Sequence, residues 1–468
     1  MDDPTATDHA EPISAALARY AADFRFDAIP DAVVARAKSL LLDGLGTAYA
    51  ATHFDFAHRS LAAITALAGR GDIPVIGFRE HLPLRDAVTL NGILVHGLDY
   101  DDTHSAGVIH ATASLLPCVL GLGAALDRSG RELLAAYVLG METATRLAAV
   151  AQGGFHQVGF HPTGLIGAFG CALAAGHLYG LNARALAHAQ GIALSLAAGS
   201  MEFLEDGAWT KRLHPGWAAA AGITAAALAS QGFTGATRAY EGRFGLYRSH
   251  LGNEFARADL GLATRTLGTQ WETLAVAVKP YPLCHFVHAL TDCALALRGR
   301  GLRAEDIEQI IARVPAEVVK TVCEPVAAKR RPANDYDAKF SVPYAVATAL
   351  LRGRFGLAEL ETESLNDPAA AALMARVDYA VDPDSAFPIA YSGELWVRTR
   401  DGREWTHREH INRGAADRPL SASDIETKFL ENAALRRAPR QAAAQLEKLA
   451  HIEHAASGRA LVTALCHS

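Results

Sequence analysis

Aromatic side chains are scarce in this sequence, at 7% of 468 residues, and charged ones reach only 20%. The first scarcity argues against a β-sandwich, whose core draws on aromatic and β-branched side chains. The second does not signal disorder, because half of the residues are hydrophobic and a chain of this length buries a large core. Six cysteines stand at positions 118, 171, 284, 293, 323 and 466 without any C-x-x-C pair. That pattern fits reduced thiols in a cytoplasmic protein rather than a disulfide scaffold. P-loop, G-x-S-x-G and strand-linked G-x-G-x-x-G signatures are missing, so no nucleotide cofactor or serine hydrolase chemistry is indicated. A net charge of −6 without a concentrated basic face excludes nucleic acid as the main partner. The first residues, MDDPTATDHAEPIS, lack the basic and apolar regions of a secretory signal. The most membrane-like stretch, Gly164 to Leu181, is interrupted by glycines and His177. It reads as a tightly packed internal helix, and no membrane partner is expected.

What the chain does have is alanine and 40 glycines. Small residues at helical spacing favour closely packed helices. From Ile13 to about Leu274 the pattern is helical. Near Val276 it changes: Ile307–Val314 and Val377–Val381 read as strands, and Leu395–Trp405 as a hairpin around Asp401-Gly402. Helical character returns at Ser421-x-x-Asp424, a capping box. The expected fold is mainly α. A large all-helical domain over 1–275 and 409–468 carries an inserted, smaller α+β lid domain over 276–408.

Chemistry-bearing residues fall in four clusters. HGLDYDDTHSAGVIH, from His96 to His110, places carboxylates at or beyond a helix C-terminus, where they oppose the helix dipole. Such a local conflict marks a candidate site. An Mg²⁺-binding acidic motif of the terpene synthase kind fits poorly, since the third acid is absent. Gly159–Gly164 (GFHPTG) sets His161 and Pro162 at a helix start, where free N–H groups receive anions. Lys211, Arg212 and His214 form a cationic group that suits a carboxylate clamp. Val278–His288 (VKPYPLCHFVH) stiffens Lys279 between prolines on an expected strand. On a strand, Cys284 and His285 would face opposite ways, which speaks against a thiol nucleophile. His407-x-x-His410 and His451-x-x-His454 read as solvated helix faces, not metal ligands.

Taken in order, LLDGLG at Leu41, the His96 cluster, GFHPTGLIGAFG, TKRLHPGWAA, KPYPLCHFVHA, FSVPYAVA at Phe340 and PLSASDIETKF at Pro419 resemble the MmgE/PrpD family. That family includes 2-methylcitrate dehydratase, cis-aconitate decarboxylase and iminodisuccinate epimerase. The resemblance implies a helical domain with a lid, a homodimer, and an active site at the domain junction without organic cofactor or metal. Motif by motif, it implies catalytic roles for Asp99, Thr103, His110, His161, Lys211, Lys279, His285 and Tyr344. Lys211, Arg212, His214, Lys279 and His288 are the expected substrate-binding residues. At the lid histidine, spacing leaves both His285 and His288 open. The chain departs from many members after His110, where it has Ala111-Thr112-Ala113. The implied activity is a lyase acting on a small di- or tricarboxylate, with dehydration of a 2-methylcitrate-like acid first. Decarboxylation, epimerisation and a catalytically inactive scaffold are the alternatives.

Overall fold

The computed structural model describes residues 11–387 and 390–466. The reading of the extreme N-terminus as free of a signal rests largely on residues outside that set. The described chain is mainly α, with helices covering both ends of the sequence and a short sheet between.

The helices that build the site are α1 (Asp31–Ala51), α2 (Leu84–His96), α3 (Ala111–Leu126), α4 (Gly130–Val150), α5 (Pro162–Leu178) and α6 (Thr210–Ser230). Alanine and glycine let them approach closely. A Cβ on Gly92 of α2 would lie 2.3 Å from Gly216 Cα on α6, and one on Gly216 would lie 2.0 Å from Thr89 O. This crossing tolerates no larger residue, and it fixes α6 against α2. The apolar stretch expected to pack internally does so: α5 is buried apart from the partly exposed His177. Helix α4 is long and apolar enough to cross a membrane by composition, but 94% of its apolar window is buried inside the protein.

Two large hydrophobic cores are present among the described residues, beside a small alanine cluster of Ala168, Ala218 and Ala221. One gathers residues from Ile13 to Val278 together with Leu420 to Cys466. The other gathers Tyr281 to Val397 with Met201 and Phe203. The second core holds a sheet of β1 (Ile307–Val314), β2 (Val377–Val381), β3 (Gly393–Thr399) and β4 (Glu404–Glu409), ordered β2-β1-β3-β4. β1 pairs parallel with β2 and antiparallel with β3, and β3 with β4. Asp401-Gly402 turns the β3–β4 hairpin, with Gly402 at φ +83°. Helices α7 (His288–Gly299) and α8 (Val342–Arg352) pack beside the sheet. Helix α9 (Ala422–Ala434) opens on the Ser421/Asp424 capping box and returns the chain to α1.

Two local expectations are corrected. The strand expected through Lys279–His288 is only Val276–Ala277; Cys284 caps a short 3₁₀ turn over His285–Val287. The two prolines remove ladder donors and stop the strand early. His407 lies on β4, not on a helix.

Candidate active site

Three helix N-termini converge on one cavity. His110 occupies the N-cap of α3, His161 the N-cap of α5, and Lys211 the first turn of α6. Each helix start directs unpaired N–H groups and partial positive charge outward. A lysine there opposes the dipole, so Lys211 weakens the helix while adding positive charge to the cavity. The cavity is lined by Asp99, Thr103, His110, His161, Lys211, Lys279 and His285, and also by Cys284, Tyr391 and His156. Met201, Phe203, Phe286 and Phe340 supply apolar wall.

Asp99 is the hub. It sits in the left-handed region at φ +53°, uncommon for a non-glycine residue. Lys279 Nζ donates to its Oδ1 at 2.7 Å, and Lys211 Nζ lies 3.0 Å from Oδ2. Burial alone would raise the Asp99 carboxyl, but the two ammonium groups overrule it and hold it well below the usual range. Lys279 is brought there by the antiparallel pairing of Thr103–His104 with Val276–Ala277 and by Val278 N–H donating to Gly414 O.

The histidines differ in what they present. His110 Nδ1 lies 2.7 Å from the Asp102 carbonyl. A carbonyl only accepts, so Nδ1 carries the proton and Nε2 is left with a lone pair. The backbone N–H of His110 is held by Thr163 Oγ1 at 3.0 Å. Desolvation, reinforced by Lys279 and His96, holds His110 well below 6.5, although Asp101 opposes this. His161 is lowered in the same way by burial and Lys211. His285 is the opposite case. Asn412 Nδ2 donates both to His285 Nε2 at 2.7 Å and to Arg413 O at 3.1 Å. His285 therefore carries its proton on Nδ1, which is buried without a partner among the described residues. The site offers a proton acceptor from one wall and a proton donor from the other.

Behind His110 lies a second layer. His96 Nδ1 is 2.8 Å from Asp101 Oδ2. Burial would raise Asp101, but His96 and His110 bring it down to about 2. Asp102 is raised to about 8 by burial, with Asp101 and Asp43 adding to it, and accepts from Thr112. His96, Asp101 and His110 lie close enough to hold a metal ion. Their facing atoms are already engaged with one another and with the Asp102 carbonyl, so hydrogen bonding accounts for the arrangement.

Four expected residues fall elsewhere. Tyr344 is buried in the second core with its hydroxyl donating to Glu359 O; helix α8 turns it away, and the tyrosine on the cavity is Tyr391. Arg212 follows Lys211 on a helix and therefore points about 100° away. Its guanidinium sits over the rings of Phe56, Trp209 and Tyr336 and pairs with Asp335 at 3.7 Å. His288 bonds Leu283 O through Nε2 at 3.1 Å and packs beneath His285, so the lid histidine on the cavity is His285. His214 does not line the cavity either; its Nδ1 lies 3.0 Å from Nδ1 of His161. Sequence reasoning missed Tyr391 and Asn412. Neither belongs to a motif, and Tyr391 precedes β3 as an ordinary apolar position would.

The sequence profile of the MmgE/PrpD N-terminal domain matches residues 15–258, and that of the C-terminal domain matches residues 281–453. Human cis-aconitate decarboxylase is 30% identical over 424 residues, which cover 86% of this chain and 84% of that relative. The mouse cis-aconitate decarboxylase is 28% identical over 425 residues, 86% and 83%. That of Aspergillus terreus is 27% identical over 298 residues, 62% of this chain and 60% of the relative. With both profiles matched in order around one cavity of lysines and histidines, the chain belongs to the MmgE/PrpD family.

Proposed function

We propose that the protein is a lyase that decarboxylates a cis-aconitate-like tricarboxylate without an organic cofactor. The observation that carries this reading is the convergence of three helix N-termini and two lysines on a cavity with an acceptor histidine and a donor histidine. The human and mouse relatives, each matching 86% of the chain and described as cis-aconitate decarboxylases, favour decarboxylation over the dehydration expected first.

Anionic substrate enters against Lys211, Lys279 and the helix starts, which orient its carboxylates. When the carbon–carbon bond to CO₂ breaks, its electron pair stays on the substrate and spreads onto a neighbouring carboxylate. The same cations stabilise that charge as it develops. One proton must then reach the carbanion. His110 and His161 are held neutral by burial and by nearby ammonium groups. A bound polyanion offsets those cations and raises the proton affinity of both imidazoles. The histidine that delivers the proton acquires it together with the substrate. His285 and Tyr391 donate hydrogen bonds from the opposite wall.

The test incubates the protein with cis-aconitate, citrate and 2-methylcitrate and follows proton spectra and CO₂. Decarboxylation releases CO₂ and creates new methylene protons. Water loss or gain without CO₂ replaces this reading with dehydration, and inversion alone with epimerisation. No change in any acid supports the inactive scaffold.

The same reading includes a homodimer. Trp209, Leu213 and Trp217 are 44%, 42% and 49% exposed and recur every four residues along α6. Such an apolar stripe is uncommon on a free surface. Light scattering should give twice the 49.6 kDa chain mass, and Trp217→Glu should return the single-chain mass. A monomeric parent protein would overturn it.

A further inference from the structure

Three consecutive carbonyls of the Asp99 loop each accept from a different buried lysine. Lys339 Nζ donates to Leu98 O at 2.8 Å, Lys279 Nζ to Asp99 O at 2.8 Å, and Lys428 Nζ to Tyr100 O at 2.7 Å. Buried lysines are rare without a reason, and these three are at most 5% exposed. They come from three places in the chain. Lys279 lies between the two cores. Lys339 ends a short helix, Asp335–Lys339, whose Tyr336 and Ala338 belong to the second core. Lys428 lies on α9 and is paired with Asp43 of α1 at 2.6 Å.

The roles differ. Lys279 also reaches the Asp99 carboxylate and belongs to the site already described. Lys339 and Lys428 reach the backbone of this loop and an acidic partner each, Lys428 also lying over the Tyr100 ring at 3.7 Å from its centroid, and neither lines the cavity. An isolated loop does not hold Asp99 at φ +53°, because a non-glycine residue there is strained unless its surroundings fix it. Donors on the carbonyls immediately before and after Asp99 supply that constraint. Lys339 fixes the Leu98–Asp99 peptide plane and Lys428 the Tyr100–Asp101 plane, on either side of the Asp99–Tyr100 plane that Lys279 holds, and together they set the direction in which the Asp99 carboxylate leaves the backbone.

We propose that Lys339 and Lys428 are positioning residues that act through Asp99, holding its carboxylate between Lys211 and Lys279. The inference deepens the proposed function and rests on that reading of the cavity. It makes the Asp99 geometry depend on the seat of the second core, through Lys339, and on the C-terminal helix, through Lys428. Burial lowers the proton affinity of both lysines, that of Lys339 to about 7. An uncharged amine still donates to a carbonyl, so the constraint does not require their charge.

A double-mutant cycle tests it. Lys339→Met is the first variant, because its carboxylate neighbour Asp335 is 3.8 Å away and partly solvated. Lys428→Arg is the second, because it keeps a cation beside Asp43. Each is made in the parent protein and in Asp99→Ala, with fold checked by circular dichroism. Two quantities are read: kcat/KM with cis-aconitate, and the cis-aconitate Kd by calorimetry. In the parent, each substitution should lower kcat/KM about tenfold, a loss of the size of one hydrogen bond's contribution, shared between kcat and cis-aconitate affinity. In Asp99→Ala the same substitutions should change kcat/KM and Kd less than about twofold. Equal losses in both backgrounds, or no loss in the parent, would overturn the inference. If the parent binds cis-aconitate without turning it over, the proposed reaction fails. The cycle is then decided on Kd alone, with loss of affinity in the parent background and none in Asp99→Ala as the expected result.

Discussion

The two walls of the cavity do different electrostatic work with the same residue type. On the helical wall, His110 and His161 stand at the N-cap positions of α3 and α5, and burial, with lysine and histidine neighbours, leaves them neutral. On the wall built by the second core, His285 is turned by Asn412 so that its proton is on the ring nitrogen without a partner among the described residues. An imidazole does not reveal its role by identity. The partner of its other nitrogen assigns that role. On the helical wall His110 accepts, and on the opposite wall His285 donates.

The comparison breaks most sharply at the helical wall. His110→Ala and Lys211→Ala should leave circular dichroism unchanged and lower kcat/KM by about 10²-fold or more, as expected for lost acid–base or charge-stabilising groups. Near-normal turnover in steady-state assays of both variants would remove that wall from the chemistry. On the opposite wall, Tyr391→Phe and Asn412→Ala should each cost about tenfold in kcat, since each removes one hydrogen bond or the orientation behind it. Losses there equal to those of His110→Ala would erase the distinction between the walls.

The pH profile sharpens it further. Burial and neighbouring cations lower both helical-wall histidines, so their neutral forms persist below the ordinary value of about 6.5. The acidic limb of kcat/KM for the free enzyme should therefore lie below pH 6.5. A limb above it would contradict the described environment. Asp101, brought down to about 2, contributes stability that is present above about pH 4 and lost toward pH 2. Acid titration of Asp101→Asn should lack that part of the unfolding profile. The smallest effect is expected off the cavity. Tyr344→Phe should change kcat/KM less than about twofold and cost at most ~1.5 kcal/mol of stability, the bond to Glu359.

Much of the architecture was legible. Strands Ile307–Val314 and Val377–Val381, the Asp401-Gly402 turn and the Ser421/Asp424 cap all follow local rules of alternation, turn chemistry and capping. Seven motif residues, from Asp99 to His285, do meet at one cavity. Motif reading failed where direction mattered. Arg212 adjoins Lys211 in sequence and leaves it on the helix. Tyr344 lies in a matching motif and points into a core. Tyr391 lies in none and lines the cavity.

The sequence by itself determined the class of helix-rich fold, because the spacing of small apolar residues is a local property. It also determined which residue types were available, and so a chemistry of lysines, histidines and a carboxylate. The tertiary structure alone decided which of them face one another. Asp99 meets Lys211 and Lys279, and Leu98 and Tyr100 meet Lys339 and Lys428, across separations of more than a hundred residues. Only packing of α2, α6, α9 and the second core around one loop brings those groups within hydrogen-bond range.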